Sequence, residues 1–253
     1  MLEVKDIHKS FGNLNVLNGV SFNMDKGETK VIIGPSGTGK STLLRCINQL
    51  TPPDKGQVWL EGEEITDKSK DINQIRQKIG FVFQEFNLFN HLTALRNVSI
   101  GLEKIRKIDK EKARCRALEE LKRVGLENQA NQYPAQLSGG QKQRIFVTKA
   151  LVRNPEILIM DEPVTGVDAD TQERFYKKLS NLNIDKGITI LIVSHDLAAV
   201  FCRMSKVMCV NRAVNVSPIT EDFDPNKALR KAYGDHFHFV FHKHECERIF
   251  DDE

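Results

Sequence analysis

The sequence predicts an α/β chain: a mainly parallel sheet, an antiparallel group of strands at the N-terminus, and a helical block inserted between the two halves of the parallel region. Three observations predict it. Val31, Ile32 and Ile33 form a continuous apolar run that passes through a Gly-rich turn into STLLRCINQL, whose apolar residues recur at helical spacing. After Pro155 apolar runs alternate with helical patterns: EILIM, a helix near Thr171 to Asn181, ITILIV, and a helix near Leu197 to Met204. Strands alternating with helices argue for parallel pairing, because a crossover helix is what lets consecutive strands run the same way. Between these regions, from about Leu92 to Asn131, acidic and basic residues interleave as they do on solvated helical faces.

Taken in order, Leu2 to Ile7, Val20 to Met24 and Thr29 to Ile33 read as short strands, with Asn18-Gly19 and Lys26-Gly27 as the breaks between them. Pro52, Pro53 and Gly56 end the first helical pattern, and Gln57 to Leu60 and Ile79 to Phe83 supply further strands. The expected organisation is a main domain over residues 1–211, with a helical subdomain inserted at about 88–152 and a C-terminal extension over 212–253.

Composition narrows the function classes. Lys and Arg number 37 against 34 Asp and Glu, a net charge of +3, so there is no concentrated basic surplus of the kind that marks a nucleic-acid binder. Hydrophobic runs such as Ile188 to Val193 fall far short of the roughly 20 residues of a membrane helix. The start MLEVKDIHKSFG lacks the basic-then-apolar pattern of a secretory signal, so a cytoplasmic location is expected. Cys46, Cys115, Cys202, Cys209 and Cys246 are scattered and form no CxxC pair, which fits reduced thiols.

Two segments carry chemistry on their own residues. Gly34-Pro35-Ser36-Gly37-Thr38-Gly39-Lys40-Ser41 has the spacing of a phosphate-binding loop and lies between a buried strand and a helix start. Its glycines let backbone N–H groups converge on phosphate oxygens, and the helix N-terminus adds positive potential. Lys40 is expected to neutralise β- and γ-phosphate charge, Ser41 to offer a hydroxyl to Mg²⁺, and Thr42 to add a phosphate contact. The fold is therefore expected to be a P-loop NTPase core. Ile157 to Met160 leads into Asp161 and Glu162, whose side chains point to opposite faces if both lie on a strand. Asp161 is expected to hold Mg²⁺ and Glu162 to polarise the attacking water.

Leu137-Ser138-Gly139-Gly140-Gln141, followed by KQRIFVTKAL, resembles the signature of the ATP-binding-cassette (ABC) ATPases, and the likeness extends through about Asn211. The resemblance implies a head-to-tail homodimer in which Ser138, Gly139, Gly140 and Gln141 of one copy bind the nucleotide held by the loop of the other, with Ser138 and Gly140 reaching its γ-phosphate. It implies that Phe11 stacks on adenine with Val16 beside it, that Gln84 contacts Mg²⁺ and the attacking water, that His195 senses the γ-phosphate, and that Asp168 faces the opposite protomer. It also implies ATP as substrate, integral membrane permease subunits and a solute-binding protein as partners, no nucleic acid, and a peripheral position on the inner face of the cell membrane.

The two halves of the chain point to different solutes. VFQEFNLFNHLTALRNVSIGL and VGLENQANQYPAQLSGGQ resemble the ATPases of polar amino acid importers, whereas EPVTGVDADTQERFYKKLSNLN, VSHDLAAVF and KVMCVNR are similar to those of zinc and manganese importers. In GDHFHFVFHKHEC, strand alternation would put His236, His238, His242, His244 and Cys246 on one face and Phe237, Phe239 and Phe241 on the other. That pattern leaves two readings open, a solvated edge or a Zn²⁺ site. Because the stretch from Gln84 to about Asn131 is where the family meets its membrane partner, amino acid import ranks ahead of metal import, with a soluble ABC ATPase outside transport as a third reading.

Overall fold

The computed structural model describes residues 1–67, 69–84, 87–164, 169–195, 206–211 and 213–219, with five further positions between 224 and 233. The chain divides into two compact units, Met1–Lys70 with Glu173–Glu253, and Asp71–Gln172.

In the first unit β1 (Leu2–Phe11) and β2 (Leu14–Met24) form an antiparallel hairpin with Leu2 opposite Met24 and Phe11 opposite Leu14. Burial does not follow strict alternation: Leu2, Val4 and Ile7 all face the core. The extra residue is accommodated near Asp6, at φ 51°, where the register shifts between Val4 and Ile7 and the parity of the faces changes. A second shift, between Ile7 and Lys9, falls opposite Asn18 and Gly19. The predicted break at Asn18-Gly19 is thus a bulge inside β2, and the chain turns at Gly12-Asn13 instead; glycine at φ 75° absorbs an irregularity without ending the strand. β4 (Lys55–Leu60) pairs with the other edge of β1, and β5 (Glu63–Glu64) with β4.

β3 (Thr29–Ile33) is buried along its whole length. It pairs in parallel with β8 (Thr189–Val193) and with β9 (Lys206–Asn211), and β10 (Ala213–Pro218) returns antiparallel to β9. A strand flanked on both sides and covered on both faces needs no polar face, which is why Val31 to Ile33 reads as an unbroken apolar run. α1 (Lys40–Ile47) follows β3 directly. α6 (Ala169–Lys186) buries Phe175, Tyr176 and Leu179, and Asn183 near its end donates to the carbonyls of Gly27 at 2.6 Å and Ile188 at 2.8 Å. The helix near Leu197 to Met204 lies outside the described residues.

In the second unit α2 (Ile72–Lys78) leads into β6 (Ile79–Val82), which pairs in parallel with β7 (Ile157–Asp161). α3 (Ala94–Lys104), α4 (Lys110–Arg123) and α5 (Gly139–Leu151) make the helical block. Thr93 and Asp109 cap α3 and α4 by accepting first-turn N–H groups. The charged faces of α4 hide a stripe of small residues, Ala113 and Ala117 with Leu121, that packs with Val98 and Leu102 of α3 and Ile145 of α5. Asn97, fully buried in this block, donates to the carbonyls of Phe89, Leu92 and Thr93 and accepts from the N–H of Phe89, so the segment before α3 is held by one side chain. Among the described residues no helix is long and apolar enough to cross a membrane. Among the described residues Cys46 and Cys209 are buried thiols outside any disulfide and Cys115 is an exposed one.

Candidate nucleotide site

In the first unit the loop from Gly34 to Gly39 joins β3 to α1 as the sequence predicts. Gly34 sits at φ 151°, and a Cβ there would lie 2.2 Å from the carbonyl oxygen of Val210 on β9, so only glycine fits. Gly39 caps α1 at φ 92°, with Val16 and Leu17 of β2 close enough that a Cβ would meet them at 3.0 and 2.9 Å. Val16 therefore packs against the start of α1. Among the described residues no side chain caps α1, and its first turn holds no acidic residue, so the helix itself supplies no carboxylate at the positive end of its dipole.

Lys40 is 5% exposed, and its ammonium donates to the carbonyl oxygens of Gly34 at 2.8 Å and Pro35 at 2.7 Å. The Thr38 hydroxyl donates to the same Pro35 carbonyl at 2.9 Å. A buried cation bonded to neutral carbonyls can exchange them for phosphate oxygens at little desolvation cost, since burial has already been met. Ser41 and Thr42, in the first turn of α1, are half-buried; Ser36 and Gly37 at the loop tip are exposed.

Phe11 closes β1 with half its surface exposed (52%). Lys9 donates to Asp54 Oδ1 at 2.7 Å and stands 5.6 Å from the Phe11 ring centroid, while the Ser10 N–H donates to Asp54 Oδ2 at 2.7 Å. The Lys9 ammonium, followed by the Ser10 N–H, holds the Asp54 carboxyl below its ordinary pKa. This clasp fixes the strand end that presents Phe11. His195, exposed, lies two residues past β8; Ser194 between them is buried, donates its N–H to the Ile32 carbonyl at 3.3 Å and shares a 2.7 Å hydrogen bond with the Tyr176 hydroxyl.

In the second unit Asp161 ends β7 as a buried carboxylate, 2% exposed. Glu162 lies past the end of β7 at φ 47°, so a turn of the backbone, and not strand alternation, separates the two acids. Gln84, just past β6, donates through Nε2 to Glu162 Oε2 at 3.2 Å. The turn after Glu162 is held from α5: Gln143, 1% exposed, donates to the Pro163 carbonyl at 2.8 Å. Sequence reading did not single out Gln143. Its signal is a polar residue on a helix face shared with Phe146 and Val147, both buried.

The signature segment forms the start of α5. Ser138 is its N-cap, with its hydroxyl accepting from the Gln141 N–H at 3.3 Å while Gln141 Oε1 accepts from the Ser138 N–H at 2.8 Å. Ser138 and Gly139 are exposed, and a Cβ at Gly140 would meet Thr171 at 3.1 Å. The helix thus offers its N-terminus to the outside, the arrangement that receives an anion. Asp168, and His236, His238, His242, His244 and Cys246, lie outside the described residues.

One contact had no sequence signal at all: the Tyr233 hydroxyl, from the C-terminal extension, donates to the Gly34 carbonyl at 3.2 Å.

Residues 17–165 match the ABC transporter family. The chain is 39% identical over 230 residues to the glutamine transport ATP-binding protein GlnQ of Escherichia coli strain K12, spanning 91% of this chain and 94% of that protein. It is 40% identical over 196 residues to the general L-amino acid transport ATP-binding protein AapP of Rhizobium johnstonii, 78% of this chain and 76% of the other. Among solved structures it resembles the dimeric ATP-binding cassette MJ0796 in a post-hydrolysis state with ADP and Pi, with a TM-score of 0.79 and 36% identity over 87% of this chain and 99% of that one. A phosphate loop built on β3 and α1, the paired ends of β6 and β7, and a signature cap on α5 agree with these likenesses, and the chain belongs to the ABC transporter family as one of its ATPases.

Proposed function

We propose that the chain is the ATP-hydrolysing subunit of an importer for a polar amino acid, acting from the cytoplasmic face through separate permease subunits that a solute-binding protein supplies. The observation that carries this reading is the likeness to amino acid transport ATP-binding proteins, which for the glutamine protein runs through nearly the whole of both chains.

In this reading residues 1–211 are the ATPase and 212–253 an extension. Lys40 and the first-turn N–H groups of α1 bind the β- and γ-phosphates, with Gly34 to Gly39 as the backbone cradle and Thr42 adding a contact. Phe11 and Val16 take the adenine. Ser41, Asp161 and Gln84 offer a hydroxyl, a carboxylate and an amide oxygen, an all-oxygen set that suits Mg²⁺. Bound there, Mg²⁺ neutralises charge on the phosphate oxygens. Glu162 accepts the proton of the attacking water, Gln84 orients that carboxylate, and His195 contacts the γ-phosphate. Ser138, Gly139, Gly140 and Gln141 serve the nucleotide of a second copy, with Asp168 at the same dimer face. The chemistry is positioning plus electrostatic stabilisation of a phosphoryl transfer to water.

The alternating histidines from His236 to Cys246 sustain metal import with a Zn²⁺-responsive extension as the alternative. Uptake of radiolabelled glutamine, glutamate and basic amino acids, beside ⁶⁵Zn²⁺, in cells lacking the gene and restored with wild type or Glu162→Gln decides between them. Loss of one amino acid uptake with zinc uptake unchanged is expected. Loss of zinc uptake alone would replace the proposal with the alternative, and no change in either would move the chain to an ATPase outside transport.

A further inference from the structure

The Gly34 carbonyl oxygen is shared by two donors from opposite ends of the chain, Lys40 Nζ at 2.8 Å and Tyr233 Oη at 3.2 Å. A carbonyl has two lone pairs, so each donor has its own acceptor site. Gly34 itself has no room to move toward β9, since the space where a Cβ would stand is filled by the Val210 carbonyl. Tyr233 is half-buried, and water reaches this contact only in part. We propose that Tyr233 is a positioning residue for Lys40: it keeps the Gly34 carbonyl hydrogen-bonded while the ammonium turns from that carbonyl to phosphate.

The free and nucleotide-bound states make different demands on the Gly34 carbonyl. Before nucleotide arrives, Gly34 has a charged and a neutral donor. Once Lys40 commits to phosphate oxygens, the stronger, charged donor leaves, and a buried acceptor left without any partner costs more than a hydrogen bond normally contributes. With Tyr233 in place one donor remains and the transfer of Lys40 is cheap. Without it the carbonyl holds on to Lys40, and nucleotide must compete for the ammonium. The same hydroxyl therefore ties the C-terminal extension to the nucleotide state of the loop. The proposal rests on the reading of residues 34–41 as the phosphate site of an ATPase.

The test is Tyr233→Phe, which keeps the ring and removes only the hydroxyl, assayed in the full-length protein for ATPase kinetics, binding of a fluorescent ATP analogue and thermal unfolding without nucleotide. KM for ATP and the analogue Kd are expected to rise roughly three- to tenfold, the range of one net hydrogen bond, while kcat changes by less than twofold and the nucleotide-free Tm stays in place. Lys40→Met supplies the second arm: in that background Tyr233→Phe is expected to have no further effect on analogue binding, because the two residues act through one carbonyl. Unchanged KM in Tyr233→Phe, or an equal loss with and without Lys40, overturns the proposal. Either result leaves the ATPase reading standing, whereas wild-type protein that neither binds the analogue nor hydrolyses ATP overturns that reading itself.

Discussion

Gln84 and Glu162 meet because two strands are in register. β6 and β7 pair in parallel with Val82 opposite Met160, so the residues two places beyond this pair fall level with one another, and the Gln84 amide donates to the Glu162 carboxylate at 3.2 Å. Neither residue is placed by its own loop alone. The carboxylate is presented by a left-handed turn at φ 47°, and the carbonyl of Pro163 after it is held by Gln143 from α5.

Gln143→Leu removes that donor while keeping the volume on the α5 face. The Pro163 carbonyl loses its partner, so stability should fall by about 1–3 kcal/mol. Urea unfolding measures the loss, and kcat should fall with it because the turn that aims Glu162 is released. A variant with wild-type midpoint and wild-type kcat would show that the Gln143 bond holds nothing of consequence.

Two glycines of the phosphate loop should respond differently to alanine. At Gly34 the new Cβ would meet the Val210 carbonyl at 2.2 Å, whereas at Gly37, φ 79°, nothing lies within 4 Å. Gly34→Ala should cost about 2–3 kcal/mol of stability through overpacking and impair nucleotide binding, and Gly37→Ala only the roughly 1 kcal/mol of a left-handed alanine. Chemical denaturation of the pair checks the order.

Asn97 is fully buried and serves one N–H and three carbonyls. Asn97→Ala leaves those groups unsatisfied and should destabilise the protein by roughly 3 kcal/mol. Hydrogen exchange at Phe89 and along the first turn of α3 should quicken in the same variant, locating the loss.

The thiols should separate by reactivity. Burial pushes Cys46 up to about 11, whereas Cys115 is exposed. Alkylation at pH 8 followed by peptide mass mapping should label Cys115 quickly and Cys46 only on unfolding. Because the unfolded thiol ionises at lower pH than the folded one, the unfolded state holds fewer protons above pH 9. Stability should therefore decline as pH rises from about 9 toward 11.

Much of this was legible in residue order, for identifiable reasons. β3, β7 and β8 are short apolar runs with no polar face, and they stand where the runs predicted. The phosphate loop was legible because glycine spacing, a lysine and a following helix are all local. Asn18-Gly19 misled because a glycine that ends a strand and one that bulges it look alike until the partner strand is known. Gln143 and Tyr233 were not visible for a related reason: each acts on a carbonyl of a distant segment, and backbone acceptors carry no mark in a sequence. The pairing of Gln84 with Glu162 needed the register of two strands 78 residues apart.

The most direct test of the account is Glu162→Gln in the full-length protein, comparing steady-state ATP hydrolysis with nucleotide binding and with sedimentation in ATP. Hydrolysis should fall by about 10² or more, the usual consequence of losing a positioned base, while ATP is still bound and a stable dimer accumulates. Turnover within a fewfold of wild type would contradict the assignment of Glu162, and with it the reading of the β6 and β7 ends as the hydrolytic half of the site.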